Sequence, residues 1–390
     1  MGKGMLFTLL MTGSFAVGAQ QHVAIQFVKN DLAAALLQAG QKDKIIFVDA
    51  YATWCGPCKM MDQNVFSDSL VGAFFNQNFI NLKLDMEKGD GPHLAEKYAV
   101  RAYPTFLFLS ATGDLLHQGL GYHPVQKIIT LGQDALNPKK QITTLKREYK
   151  NGNRDSDFLI EFAMALFECN DSMARDIGQV YLATQSNWAS PVNIPVIARM
   201  VQSYGDPYYD FMVHRRYLFV KQFGEGVIDG SLLNMIESHL YTNLEKLDLE
   251  ETKAIFNNTF PTSKASLFFD LFEINYYNQL EELSKYKDLS RAFVKKHRTL
   301  SWSTLNELAW GFYEKIDEDK ALKWALKWVK KSISLNSNPF NNDTLAALYY
   351  KVGNHKQATK YAHKAIALAQ AAGSDYSETT RLLEKIERIK

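Results

Sequence analysis

The stretch F-V-D-A-Y-A-T-W-C-G-P-C-K, residues 47–59, decides how this chain is read. An apolar run that starts at Ile45 leads into it, and it ends in two cysteines, Cys55 and Cys58, with only Gly56 and Pro57 between them. Thiols three residues apart can close one small ring. Cys55 can therefore attack a disulfide as a thiolate, and Cys58 can resolve the mixed disulfide that forms. Pro57 suits the first turn of a helix. A helix beginning inside the motif puts Cys55 at its N-terminus, where unpaired backbone N–H groups and the helix dipole favour a thiolate, and leaves Cys58 one turn further in and less exposed.

Competing readings of the pair are weaker. Half of a zinc site would need two more Cys or His ligands at suitable spacing. The third cysteine, Cys169, stands alone in another region, and the nine histidines are scattered. The sequence thus predicts no metal and no cofactor. A purely structural bridge across so short a loop would restrict the unfolded chain little. Asp49 lies within the apolar run Ile45, Ile46, Phe47 and Val48, where a carboxyl is costly to bury unless its protonation is useful or its charge compensated. The blander alternative is a strand-end aspartate facing water.

Residues 48–59 resemble the active-site segment of the thioredoxin family at each functional position. The resemblance implies an α/β thioredoxin fold, with Cys55 as nucleophile, Cys58 as resolving thiol, and Asp49 as the buried carboxylate that helps move the resolving cysteine's proton. Further on, R-A-Y-P-T at residues 101–105 precedes the apolar run 106–109 and is similar to the family's cis-proline segment. This implies a cis bond before Pro104, a proline facing the cysteines, and a neighbouring backbone edge free to pair with substrate. Trp54, Gly56, Pro57, Tyr103, Pro104 and Thr105 are the expected substrate-binding residues.

Two departures stand out. Thioredoxins place a lysine where this chain has Asn81, while Lys83 lies on the same strand face one step along; how the charge of Asp49 is handled stays open. The loop E-K-G-D-G-P at residues 87–92 is longer than in thioredoxin. With V-F-S-D-S at residues 65–69, it looks more like the soluble redox domain of membrane thiol:disulfide interchange reductases.

Around this segment, residues 31–38 predict an Ala/Leu helix, 44–50 a buried strand, a helix break at 66–69 capped by Ser67 or Asp68, and 79–85 another strand with Asn81, Lys83 and Asp85 on one face. Gly113 is placed at a hairpin turn and Gly121 at a strand end. Asn137-Pro138-Lys139-Lys140 reads as a linker, after which helical periodicity takes over. Phe158, Phe162, Ala165 and Cys169 suggest an apolar helix stripe holding an inert thiol. Leu308, Ala309, Phe312 and Tyr313 recur as Leu345, Ala346, Tyr349 and Tyr350, and Ala325, Val329 and Ser332 recur as Ala358, Ala362 and Ala365, a pattern that resembles tetratricopeptide units. Lys320, Lys323, Lys327 and Lys330 beside Trp324 and Trp328 read as a solvated face over buried rings rather than an anion site. The expected organisation is a signal peptide over residues 1–19, a thioredoxin-like domain over 20–137, an all-α helical domain over 138–300 and helical repeats over 301–390.

Residues 1–19 supply a positive start at Lys3, an apolar centre and the small-residue site Val17-Gly18-Ala19 of a secretory signal. The apolar stretch is too short and too rich in glycine for a membrane span, and no cysteine follows it to carry a lipid. An exported protein of the periplasm or cell envelope is expected, with no stable membrane span after signal removal. A net charge of +2 over 390 residues gives no field that would recruit nucleic acid. The expected partners are disulfide-containing protein clients and an upstream thiol electron donor, because a dithiol outside the cytosol needs a source of electrons. The Gly-Pro pair resembles that of reducing thioredoxins, so the sequence predicts a protein-disulfide oxidoreductase that reduces its clients. The alternatives are a disulfide oxidase or isomerase, or a helical scaffold or chaperone with a docking thioredoxin fold.

Overall fold

The computed structural model describes residues 23–388, so the signal segment expected at residues 1–19 lies outside the described residues. In the first part of the chain β1 (Val28–Lys29), α1 (Leu32–Lys42), β2 (Ile45–Tyr51), α2 (Gly56–Asn64), α3 (Ser69–Asn78), β3 (Phe79–Asp85), α4 (Gly91–Lys97), β4 (Thr105–Leu109), β5 (Leu115–Leu120) and α5 (Val125–Leu136) follow one another. The strands form one mixed sheet in the order β1-β3-β2-β4-β5, with β2 parallel to β3 and antiparallel to β4.

Side chains alternate across a strand, so β2 serves two cores at once. Ile46, Val48 and Ala50 join Ala35 and Ala39 of α1 and Leu94 of α4 on one face. Phe47 joins Met61 of α2, Phe75 of α3, and Ile128 and Leu131 of α5 on the other. Asp49 follows Phe47 by two residues and therefore lies on the face covered by α2. Burial on both faces explains why this strand reads as a nearly continuous apolar run.

Local caps set the helix ends. Asp31 accepts the Ala34 N–H to start α1, which runs past the expected end at residue 38 until Asp43, left-handed at φ 50°, stops it. Asp68 accepts the N–H groups of Leu70 and Val71, which fixes the expected break and starts α3; that helix continues to Asn78.

Residues 137–140 form a turn rather than a free linker. Lys140 reaches Asp134 at 3.1 Å, and the Gln141 side chain donates to the Ala135 carbonyl. The helices α6 (Ile142–Lys150), α7 (Ser156–Glu168), α8 (Ala174–Ala183) and α9 (Ile194–Met200) follow and belong to the same compact unit as the sheet, which ends at Met200. The expected boundary at 137/138 thus falls inside one unit. The backbone N–H of Ile142 donates to His117 Nδ1, and the Thr143 hydroxyl donates to the Leu116 carbonyl, which ties α6 to β5. The buried stripe of α7 is Leu159, Phe162, Ala163 and Leu166. Cys169 lies just past it, half-buried at the helix C-cap, and its thiol is pushed up by burial.

The second compact unit, residues 201–390, is helical among the described residues. It holds α10 (Pro207–His214), α11 (Arg216–Phe223), α12 (Glu225–Leu240), a 3-10 segment (Tyr241–Lys246), α13 (Leu249–Thr259), α14 (Thr262–Gln279), α15 (Leu283–Lys296), α16 (Trp302–Lys315), α17 (Asp319–Leu335), α18 (Pro339–Lys351), α19 (His355–Ala372) and α20 (Ser377–Glu387). Leu308, Ala309, Leu345 and Ala346 are buried, as are Ala325, Val329, Ala358 and Ala362, so the small and aliphatic members of both recurring sets are core positions, while Tyr313, Tyr349 and Tyr350 are half-buried. The seam expected at residue 300 is not present: Tyr286 and Phe293 of α15 share one core with Leu305, Phe312 and Trp328. Lys320, Lys323, Lys327 and Lys330 are exposed beside buried Trp328. Among the described residues, no helix is long and apolar enough to cross a membrane.

Candidate active site

Strand β2 delivers the chain to a short turn, and α2 begins at Gly56, with Pro57 in its first turn and Cys55 as its N-cap. The backbone N–H of Cys58 points back to Cys55 Sγ at 3.1 Å. A donor aimed at this sulfur, together with the helix N-terminus, favours a thiolate on Cys55 once the pair is reduced. Cys55 and Cys58 are joined by a disulfide. Both are 2% exposed, so the expected difference in exposure is not seen. Ala52, Tyr51 and Tyr103 pack against the bonded pair.

The rim is aromatic. Trp54 is 66% exposed, its ring stands edge-on to Tyr103 with centroids 6.0 Å apart, and its indole N–H donates to Glu87 Oε2 at 2.8 Å. Partial burial pushes the Tyr103 hydroxyl up, helped by the charges of Glu87 and Asp85. Gly56 and Pro57 are exposed beside the pair, whereas Pro104 and Thr105 are buried. The Tyr103–Pro104 bond is cis. The Pro104 carbonyl accepts the Gly121 N–H, and Thr105 Oγ1 donates to the Ala102 carbonyl, so the segment is held from both sides. The backbone N–H and C=O of Tyr103 make no hydrogen bond among the described residues.

Beneath α2 lies a charged trio. Asp49 is 1% exposed; its Oδ2 accepts from Lys83 Nζ at 2.7 Å, and the same ammonium reaches Asp62 Oδ1 at 2.5 Å. Asp49 Oδ1 has no partner among the described residues. Burial raises the Asp49 carboxyl from its ordinary 3.8 to about 6, against the downward pull of Lys83. Lys83 is depressed by burial but raised overall by Asp49 and Asp62. Its ammonium also stands 4.7 Å from the centre of the Tyr51 ring.

The question left by Asn81 is answered by strand register. Parallel pairing of β2 with β3 sets Asp49 beside Lys83 and Phe47 beside Asn81, and the Asn81 amide is spent on Asn76 Oδ1 at 3.0 Å. The site residues that the sequence did not single out are Asp62 and Glu87. Asp62 is four residues beyond Cys58 and hence on the same side of α2, a spacing visible in the sequence. Glu87 sits in a loop, where no periodicity marks it.

A sheet of this order, a C-x-x-C pair capping the helix after the central strand, and a cis-proline at the start of β4 together define a thioredoxin-like domain. A family model described as Thioredoxin-like matches residues 27–111, and the chain carries a thioredoxin-like domain there. Thioredoxin-1 of Drosophila melanogaster is 45% identical over 67 residues, which is 17% of this chain and 58% of that protein. Mitochondrial thioredoxin-3 of Saccharomyces cerevisiae is 37% identical over 84 residues, 22% of this chain and 60% of that one. The chain thus spans about three fifths of the length of these curated relatives. A solution structure of a "putative disulphide-isomerase" from Bacteroides thetaiotaomicron is 41% identical, covering 30% of this chain and 97% of that one, with a TM-score of 0.28.

Proposed function

We propose that this protein is an exported thiol:disulfide oxidoreductase of the periplasm or cell envelope, which reduces disulfides in protein clients and uses its helical second unit, built from tetratricopeptide-like repeats, to bind them. The observation that carries the chemistry is the Cys55 sulfur at the N-cap of α2, facing the Cys58 N–H, above a buried carboxyl that burial raises to about 6. The cysteine pairing and the likeness to thioredoxins support it; the sequence of residues 1–19 supports export.

In the forward cycle the Cys55 thiolate attacks one sulfur of a client disulfide. The client S–S bond breaks, a Cys55–client mixed disulfide forms, and the released client thiolate takes up a proton. Asp49, ionised, accepts the proton of the Cys58 thiol, directly or through a water. The Cys58 thiolate then attacks Cys55 Sγ, closes the Cys55–Cys58 disulfide and releases the second client thiolate. Two electrons pass from the protein dithiol to the client, and a thiol donor of the envelope returns them to the pair. The free backbone of Tyr103 pairs with an extended client strand, while Trp54, Gly56, Pro57, Pro104 and Thr105 shape the groove.

Trapping tests this. Cys58→Ser protein should accumulate covalent adducts with envelope proteins that dithiothreitol releases and that a further Cys55→Ser change abolishes. Absence of such adducts would leave only a docking role for the domain. Direction is read from the reduction potential of the pair: a value near or above about −180 mV would turn the reading toward oxidation or isomerisation.

A further inference from the structure

The second unit contains a cavity of about 460 Å³ lined by α12, α14, α15 and α16 and open on one side to solvent. We propose that this cavity binds the guanidinium of an arginine side chain in a polypeptide. The proposal gives the client-binding reading of the second unit a chemistry. Its test involves no thiol, so its failure is separable from failure of the Cys55 reaction.

Three carboxylates line the cavity: Glu237 from α12, and Glu307 and Glu314 two turns apart on α16 with Trp310 between them. None of the three makes an ion pair among the described residues. Lysines of the surrounding segments are engaged elsewhere: Lys264 with Asp229, Lys287 with Glu318, and Lys351 with Asp317. Lys315 donates to the Asn278 carbonyl at 3.2 Å. None of these ammonium groups forms an ion pair with a cavity carboxylate, and burial together with the charge of Glu307 pushes the Glu237 carboxyl up.

A second observation points to a hydrogen-bonding ligand. Tyr286 is 2% exposed and lines the cavity, yet its hydroxyl makes no hydrogen bond among the described residues. That hydroxyl lies directly over Gly311, where an added Cβ would come within 2.2 Å of it. Asn278 Oδ1, on the same wall, is buried without a partner. A buried polar atom left unpaired is uncommon, and Asn278 Oδ1 together with the unbonded hydroxyl of Tyr286, beside unpaired carboxylates, describes a surface that accepts hydrogen bonds from a cation.

The shape of the cation follows. Among the described residues no group of three His, Cys, Asp or Glu could hold a metal ion, so the carboxylates do not converge on a point. A planar guanidinium with five donors can reach separated acceptors and stack on an indole such as Trp310, which a compact ammonium does less well.

The test uses the full chain and fluorescence anisotropy of a labelled Gly-Gly-Arg-Gly-Gly amide, with a twin carrying uncharged citrulline in place of arginine. The arginine peptide should bind at least tenfold more tightly than the citrulline twin. Glu307→Gln with Glu314→Gln should weaken it at least tenfold, and Tyr286→Phe about threefold, with the far-ultraviolet spectrum and melting temperature of the glutamine variant unchanged. Glu384→Gln with Glu387→Gln, on exposed positions of α20, should leave affinity as it was. Equal binding of the two peptides, no binding at millimolar concentration, or equal losses from the two double variants would overturn the proposal. Displacement by spermidine at lower concentration than by unlabelled peptide would overturn the polypeptide source in favour of a free polyamine.

Discussion

The trio under α2 and the carboxylates of the helical cavity handle charge in opposite ways. Asp49, Lys83 and Asp62 form a closed set in which one ammonium serves two carboxylates. Glu237, Glu307 and Glu314 have no such partner among the described residues, although salt bridges such as Arg216–Asp229 and Lys264–Asp229 are made in the same unit. A closed set fixes geometry and holds one proton near its release point, as a reaction inside one chain requires. An open set keeps its field available to something that arrives. The difference shows that charged residues in a protein of near-neutral balance carry function through how completely they are paired, which composition does not reveal.

The comparison can be broken at the closed set. Lys83→Met leaves Asp49 buried without its counter-charge, which should destabilise the first unit by about 3 kcal/mol in urea unfolding. It should also move the acid limb of disulfide reduction above pH 6, since Lys83 pulls the Asp49 carboxyl down.

Asp49→Asn acts on stability in the other direction. The folded chain holds the Asp49 proton up to about pH 6, whereas the unfolded chain releases it near 3.8, so the folded state binds more protons between these values and stability falls as pH rises through that window. At neutral pH the ionised group costs up to about 3 kcal/mol. The variant should therefore be more stable than the parent at pH 7, by no more than this, with the slope between pH 4 and 6 removed. Insulin reduction at pH 7 should fall by at least about tenfold, and the acid limb near 6 should vanish. Retention of that limb would remove Asp49 from proton transfer.

Asp62→Asn is the mildest change. Asp62 is 46% exposed, so its loss should cost under about 1 kcal/mol. Because the Asp62 charge raises the Asp49 carboxyl, its removal should move the acid limb to lower pH.

Much of the redox site was legible because it is local. The C-x-x-C spacing, the proline inside the first turn of α2, the aspartate two residues after Phe47 and the proline opening β4 each lie within a few residues of the geometry they create. Lys83 was harder to place. Its contact with Asp49 spans 34 residues and depends on the parallel register of two strands, and register is fixed by the packing of whole faces rather than by any one residue. The hold of Glu87 on Trp54 likewise arises between a loop and a turn. In the helical part, periodicity told where helices run but not which faces meet, so α6 to α9 read as the start of a new domain although α6 and α7 pack against β5 and carry α8 and α9 with them. Cys169 fell at the end of an apolar stripe rather than in it because the buried face of α7 is set by Leu159 and Leu166, one position away from the stripe through Phe158 and Ala165.

Strand β5 closes one side of the sheet, and α6 lies against it through Ile142, Thr143 and the buried His117. An uncovered edge strand is a template for other chains. A fragment cut after residue 137 would lose this cover along with the apolar side chains of Ile142 and Leu145, and would leave β5 as a barer edge. The helices that follow residue 137 thus give the β5 edge a cover drawn from the same compact unit, which runs to Met200.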